Sequence, residues 1–383
     1  MPDPKRLFVA ATRQNEGKTT TCLGLLLNLQ REFRSLGFIK PVGQRYMEVD
    51  GEKIDEDAVL MDEIFHLHPV LRETSPIAIG KTFTRAYEPE RDRQGLIERV
   101  MRSFQAVARG KDLVIIEGTG HAGVGSCFDL NNAQSARLLD APVVIVTSGG
   151  MGRPIDEIML NLPLFEREGV RVLGAILNKV VPEKLEEVRD YVGRTLGRHG
   201  IRLFGVMPLK KMLSGPSLQQ VREGLKCEVL NGAENLGVTI GDVVVGAVEP
   251  HRALDEFGPN TLLVASGERE DLILAALSSS LIGVPDAYCV GGIVLTEGIH
   301  PHPTIMRLIR RTNMPVMLVQ SGIYETTSVI HDLLVKIRPT DREKIDIVGQ
   351  IVEQHVELQA ILEAIPKFAP QPEKRSAGQG PGR

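Results

Sequence analysis

The chain has 383 residues, 42% of them hydrophobic and 25% charged, with a formal net charge of -4. At roughly 100–200 residues per domain this length predicts two domains, and so small a charge argues against a dedicated nucleic-acid surface, which carries a strong basic excess. No apolar run reaches the ~20 residues of a membrane span and the N-terminal run is too short for a secretory signal, so a soluble cytoplasmic chain is expected, with neither nucleic acid nor membrane as a partner.

From the N-terminus, short apolar runs alternate with helical stretches. The run "LFVAA" (7–11) precedes "KTTTCLGLLLNLQREF"; "DLVIIEG" (112–118), "APVVIVTSG" (141–149), "RVLGAILNKV" (171–180) and "LFGVMPL" (203–209) follow. Rich in Val and Ile and without polar alternation, they read as buried strands. Strands alternating with helices predict a doubly wound, mainly parallel α/β sheet, and residues 1–212 are assigned to it. Near "KKMLSGPS" (210–217) the rhythm restarts, and 215–340 read as a second, smaller α/β domain. Its strands are "DVVVGAV" (242–248), "TLLVASG" (261–267), "AYCVGGIVLTEG" (287–298) and "MPVMLVQSG" (314–322), with helices near 269–281 and 302–313. Apolar spacing over 341–365 predicts one amphipathic C-terminal helix, and the Pro-, Gly- and charge-rich residues 366–383 predict a disordered tail. Cys22, Cys127, Cys227 and Cys289 form no C-x-x-C pair. They are expected to be free thiols rather than metal ligands.

The chemistry concentrates in "TRQNEGKTTT" (12–21), close to the phosphate-binding pattern G-x-x-x-x-G-K-[ST]. Gly17, Lys18 and Thr19 fit, whereas Thr12 stands where the first glycine belongs. Backbone N–H groups at a helix start bind phosphate oxygens. In such a loop Lys18 reaches the β- and γ-phosphates and the Thr19 hydroxyl ligates Mg²⁺. An ordinary strand-to-helix turn would satisfy the same few residues. Glu117, at the end of a buried strand and followed by glycines, adds a carboxylate where α/β sheets form their sites, and is a candidate Mg²⁺ ligand.

These residues resemble the dethiobiotin synthetase fold of phosphate-loop ATPases over the first ~210 residues. That family has a G-T-x-x-x-x-G-K-T loop in which a threonine occupies the position of Thr12, so the departure lies at Ala11, which replaces the family's glycine. The resemblance implies ATP and Mg²⁺ as cofactors. It implies nucleotide contacts from Thr12, Asn15, Glu16, Gly17, Lys18, Thr19 and Thr20, from Asn178 in "ILNKV" at the adenine, and from Pro208 in "GVMPL". It also implies that Lys18 and Lys40, the latter in "FIKPVGQ", act on the phosphates, and that Thr19, Asp57 and Glu117 hold the metal. Gln44 and Arg45 stand where the synthetase has a Ser-Gly pair around its diamine substrate, so a changed or absent carboxylation substrate is implied. His121 in the following loop is either a new acid–base group or a solvated turn residue.

"GEREDLILAALSSSL", "VGGIVLTEG" and "SGIYETTSVIHDLLVKIRPTDREKI" resemble the DRTGG domain. That domain follows a synthetase-like ATPase in the N-terminal regulatory part of long-form phosphate acetyltransferase. The chain stops where an acyltransferase domain would follow, and is expected to be a Mg·ATP-binding regulatory or sensor protein with no acetyltransferase activity of its own. The alternative is an ATP-dependent carboxylase or ligase acting on an unknown small substrate. A third reading is a dimerising switch ATPase in which Arg13 reaches a phosphate across a subunit boundary, or is merely a solvated loop residue. Family resemblance implies a homo-oligomer, and a protein partner could dock through the second domain. In that domain Gly267, Glu268, Arg269 and Asp271 form either an anion site or a helix-capping turn. His300 and His302 make a weak metal pair.

Overall fold

The computed structural model describes residues 3–67, 70–80, 82–282, 290–333 and 335–366. The chain divides into two compact units, one of residues up to Leu209 together with those from Arg338 onward, the other spanning Lys210–Ile337.

The first unit is built on six parallel strands: β1 (Lys5–Ala11), β2 (Leu36–Ile39), β3 (Leu113–Glu117), β4 (Val143–Ser148), β5 (Val172–Val180) and β6 (Arg202–Pro208). Their spatial order is β6-β5-β4-β1-β3-β2. Every neighbouring pair runs parallel. Such a sheet is covered on both faces, which is why its strands carry continuous Val, Ile, Leu and Phe. Leu7, Phe8, Val9, Val114, Ile115 and Ile116 are wholly inaccessible. The order reverses around β1, so the carboxyl ends of β1, β3 and β4 form the crevice where such folds bind ligands. The helix α1 (Lys18–Leu29) leaves β1 through the phosphate-loop segment, and α2 (Glu56–Phe65) follows an antiparallel ribbon of residues 46–49 and 52–55.

The expected single C-terminal helix is two, α3 (Arg342–His355) and α4 (Leu358–Ala364). Val356 between them is extended and bridges Gly205 of β6, and the N–H of Glu357 donates to the Phe204 carbonyl at 2.8 Å. That pairing occupies the free edge of β6 and breaks the helix. The helix α3 lies on α1: a Cβ at Gly24 would sit 2.2 Å from Val352 Cγ2, and Asn28 Nδ2 donates to the Gly349 carbonyl at 3.0 Å. Burial of Val348, Ile351 and Val352 explains the amphipathic spacing.

The second unit carries a five-stranded sheet. Four strands, Val243–Val245, Thr261–Ser266, Val290–Thr296 and Val316–Leu318, run parallel, and Glu228–Asn231 joins the last of them antiparallel. The sequence reading lacks that edge strand because its four residues, Glu-Val-Leu-Asn, show no apolar run. Leu263, Ile273, Ile293 and Val316 form part of its core.

Cys22, Cys127 and Cys227 are free thiols, while Cys289 and the expected tail over 367–383 lie outside the described residues. Among the described residues no helix is long and apolar enough to cross a membrane.

Candidate functional site

The segment 12–17 connects β1 to α1 at the carboxyl end of the sheet. Its shape depends on two residues with positive φ, Asn15 (62°) and Gly17 (95°). Gly17 is the N-cap of α1, makes no side-chain cap and is followed by no acidic residue in the first helical turn. The helix start therefore keeps its N–H groups and positive end uncompensated, the condition for binding phosphate. A Cβ on Gly17 would approach Asn178 Nδ2 to 2.0 Å. Ala11, where the resembling family has glycine, is an ordinary β-strand residue buried in β1, with no positive φ.

Around this turn lies a buried charged cluster. Lys18, Lys40, Asp55, Asp57 and Glu117 are all buried. Lys40 follows β2, Asp55 caps α2 by accepting the N–H of Asp57 at 3.0 Å, and Glu117 ends β3. The Lys40 ammonium bonds Asp57 closely, lies 2.9 Å from Asp55 Oδ1 and is 3.7 Å from Glu117 Oε1. Glycine is needed at position 43 because a Cβ there would meet Asp55 Oδ2 at 2.4 Å. The Thr19 hydroxyl donates to Glu117 Oε1 at 2.9 Å. Glu117 Oε2 is buried without a hydrogen-bond partner.

The electrostatics follow from burial and proximity. Burial pulls Lys18 below the usual lysine range and Lys40 pushes it the same way, against the attraction of Glu117 and Asp57. Burial also disfavours charge on Lys40, but Asp57, Glu117 and Asp55 outweigh it and hold the ammonium well above that range. Burial pushes Glu117 up to about 7, with Asp57 adding to the rise and Lys40, Lys18 and the Thr19 hydroxyl opposing it.

The orphaned Glu117 oxygen and the Thr19 hydroxyl beside it fit a hard divalent cation, which takes oxygen ligands. Among the described residues no group of three or more His, Cys, Asp or Glu side chains stands ready to hold a metal. Here Lys40 lies among the carboxylates that would otherwise form one.

The remaining candidates fall into two sets. Asn15, Glu16 and Thr20 belong to the loop and the first turn of α1, with Glu16 buried and Asn15 exposed. Asn178, near the end of β5, donates to the Glu16 carbonyl at 3.1 Å and accepts the Lys179 N–H at 2.8 Å. In this state its amide braces the loop. Pro208 lies on β6 opposite Val180, two residues beyond Asn178. The Thr12 hydroxyl is committed inside the protein, to Thr147 Oγ1 and Glu157 Oε2, each at 2.9 Å. His121 accepts the Gly123 N–H on its Nδ1, which makes it a turn residue rather than a partnered acid–base group.

In the second unit the Arg269 guanidinium is spent on the Gly246 and Val248 carbonyls and on Asp271. That favours the capping-turn reading of its segment over an anion site. His302 is an N-cap, accepting the Thr304 N–H.

A family profile described as an AAA domain matches residues 5–217, more than half of the chain. The chain belongs to the AAA domain family. A second profile, the DRTGG domain, matches residues 220–333 of this AAA-domain protein. The phosphate acetyltransferase of Nitratidesulfovibrio vulgaris is 25% identical over 362 residues, covering 92% of this chain and 50% of the relative. That of Pseudomonas aeruginosa is 28% identical over 372 residues, covering 92% and 51%. The chain thus spans about half the length of these curated relatives, the half that carries the phosphate-loop and DRTGG domains. Cobyrinic acid a,c-diamide synthase from Mycobacterium smegmatis, solved with bound ADP and magnesium, aligns at a TM-score of 0.38 with 17% identity, covering 54% of this chain and 88% of that one.

Three residues of this AAA domain were not singled out by sequence reasoning. Asp55 holds Lys40, and Lys179 Nζ donates to the Asn15 carbonyl at 2.6 Å. Glu157, 6% exposed, accepts from Thr12 and from Arg153 Nε at 2.7 Å and is ion-paired with Arg13, whose Nε lies 2.8 Å away. Asp55 had a signal, two residues before Asp57 in "IDED". Glu157 had none, since it reads as one acid on an amphipathic helix.

Proposed function

We propose that this chain is a Mg·ATP-binding regulatory protein, in which nucleotide at the first unit biases how the DRTGG unit meets a protein partner or a second copy of the chain. The observation that carries the reading is the buried set of Lys18, Lys40, Asp57 and Glu117, with the half-buried Thr19, beside an uncompensated helix start. Burying so many charges is costly unless they are paired or meet a ligand, and one Glu117 oxygen has no partner. Lys18 and the N–H groups of α1 would bind the phosphates, and Thr19, Asp57 and Glu117 would hold the metal. Mg²⁺ held there would neutralise phosphate charge. Asn178 and Lys179 keep the loop shaped for that anion. Regulation requires nucleotide to bind two states of the protein unequally.

A ligase or carboxylase reading draws on the same residues, with Lys18 and Lys40 stabilising charge during phosphoryl transfer. One contact favours a site different from the resembling synthetase: Gln44, in place of its small residues, bonds Gln14 of the loop at 3.0 Å. Acetyl transfer is not ascribed to these two units.

Calorimetric titration with Mg·ATP, wild type against Lys18→Ala, with phosphate release followed in the same samples, tests the proposal. Binding that is lost in Lys18→Ala, with negligible turnover, supports the regulatory reading. Sustained Lys18-dependent turnover overturns it in favour of the ligase. Absence of binding by the wild type overturns both.

A further inference from the structure

Lys40 occupies the place among the carboxylates where a divalent cation would be expected. Its side chain is 7% exposed, and its ammonium is shared by Asp55, Asp57 and Glu117, which rise from the ribbon strand 52–55, from α2 and from β3. Asp55 is fully buried and is fixed as the cap of α2, so it anchors Lys40 from one side. Asp57 and Glu117 are the carboxylates that the nucleotide reading assigns to the metal. Glu117 Oε1, the oxygen 3.7 Å from Lys40, also accepts the Thr19 hydroxyl, and the unpartnered Oε2 marks where an oxygen-seeking cation is incompletely replaced.

We infer that Lys40 is a resident stand-in for the divalent cation, keeping metal out of the nucleotide-free protein, so that metal and nucleotide enter together. The inference rests on the nucleotide reading above and adds an order of events to it. A free divalent ion would have to displace a buried ammonium from three carboxylates and leave it unpaired, which costs more than the pair itself contributes. Nucleotide phosphates supply the anion that the released ammonium needs. Metal affinity and nucleotide affinity are then reciprocally coupled through one side chain. The charge count agrees: three carboxylates face the two ammonium groups of Lys18 and Lys40, and removing Lys40 leaves an excess of negative charge that a divalent ion can satisfy.

The test uses Mn²⁺ as the probe, read by electron paramagnetic resonance on the full chain. Nucleotide-free wild type is expected to bind no stoichiometric Mn²⁺, and to bind one when ADP is added. Lys40→Met is expected to bind one Mn²⁺ without nucleotide, at least about tenfold more tightly than wild type, and to melt at a higher temperature with Mn²⁺ than without it. Three facing carboxylates could unfold that variant, so the Lys40→Met, Asp55→Asn double variant is measured alongside. It has one charge fewer, and asparagine is as good a helix cap as aspartate. Adding Glu117→Gln to the double variant should abolish Mn²⁺ binding. Mn²⁺ binding by nucleotide-free wild type as tight as in the variants would overturn the inference while leaving the nucleotide site standing. So would a folded double variant that binds no Mn²⁺. Failure of wild type to bind Mn·ADP would overturn both.

Discussion

Gly17 and Asn178 exclude one another's growth: a single carbon added to Gly17 would lie 2.0 Å from the Asn178 amide nitrogen. The same amide donates to the carbonyl of Glu16, so the strand end and the phosphate loop are built to one spacing. Gly17→Ala faces this clash and a φ of 95° that alanine adopts at a cost of about 1 kcal/mol or more. It is expected to lower stability by about 2 kcal/mol and to abolish nucleotide binding. Adding Asn178→Ala removes the clash but not the φ strain. The double variant should therefore recover part of the stability, giving a measurable coupling energy in a denaturation cycle.

Glu157 gathers Thr12, Arg13 and Arg153 behind the loop. Glu157→Ala leaves the buried Thr12 hydroxyl with Thr147 alone, Arg13 without its carboxylate and Arg153 with only Glu16, 4.0 Å away. A loss of about 1–3 kcal/mol is expected, with weaker nucleotide binding because the loop is no longer held. Arg153→Ala, by contrast, removes a side chain that is 59% exposed, and its denaturation midpoint should stay at the wild-type value. Equal losses in the two variants would contradict this account.

Glu117 makes the nucleotide-free protein sensitive to pH. Its carboxyl is raised to about 7 from the ordinary 4.5 because it is buried. Between those values the unfolded chain releases the proton and the folded one keeps it. Stability contributed by this group is therefore greatest below the unfolded value and is lost as pH rises to about 7, beyond which it changes no further. Chemical denaturation from pH 4.5 to 8 should show this decline in wild type and a flatter profile in Glu117→Gln. If Glu117 holds the metal as proposed, that role needs the ionised form, so Mg·ATP affinity should rise over the same interval.

Gly24 and Val352 carry the packing of α3 on α1. Gly24→Ala places a carbon 2.2 Å from Val352 Cγ2 and 2.8 Å from its Cβ. Overpacking of this kind costs about 1–3 kcal/mol, and Val352→Ala in the same chain should return part of it. Thermal melts of the two single variants and the double variant measure the effect.

Much of this molecule is written locally. Continuous apolar runs mark β1, β3, β4 and β5 because strands buried on both faces need no polar alternation. Gly17-Lys18-Thr19 announces its turn because a helix start facing phosphate needs a glycine, a cation and a hydroxyl within three residues. Glu117 stood out at the end of a buried strand, whereas Lys40, Asp57 and Asn178 could be named only through the resemblance to the synthetase family. The short strand Glu228–Asn231 could not, since pairing with a neighbour, not its own residues, makes it a strand.

The sequence by itself determined most of the strands and helices and where the phosphate-loop turn falls, since these depend on side chains a few positions apart, while Lys40 and Asp57 were named with that turn through family resemblance. Only the tertiary structure decided that Lys40 is held by three carboxylates, that Asn178 braces the loop, that Glu157 gathers two arginines, and that α3 and α4 return to the first unit. The contacts Lys40–Asp55, Asn178–Glu16, Arg13–Glu157 and Asn28–Gly349 join residues 15 to more than 300 positions apart. Such pairings are set by which strands lie side by side and by the burial that forces every charge among them to find a partner.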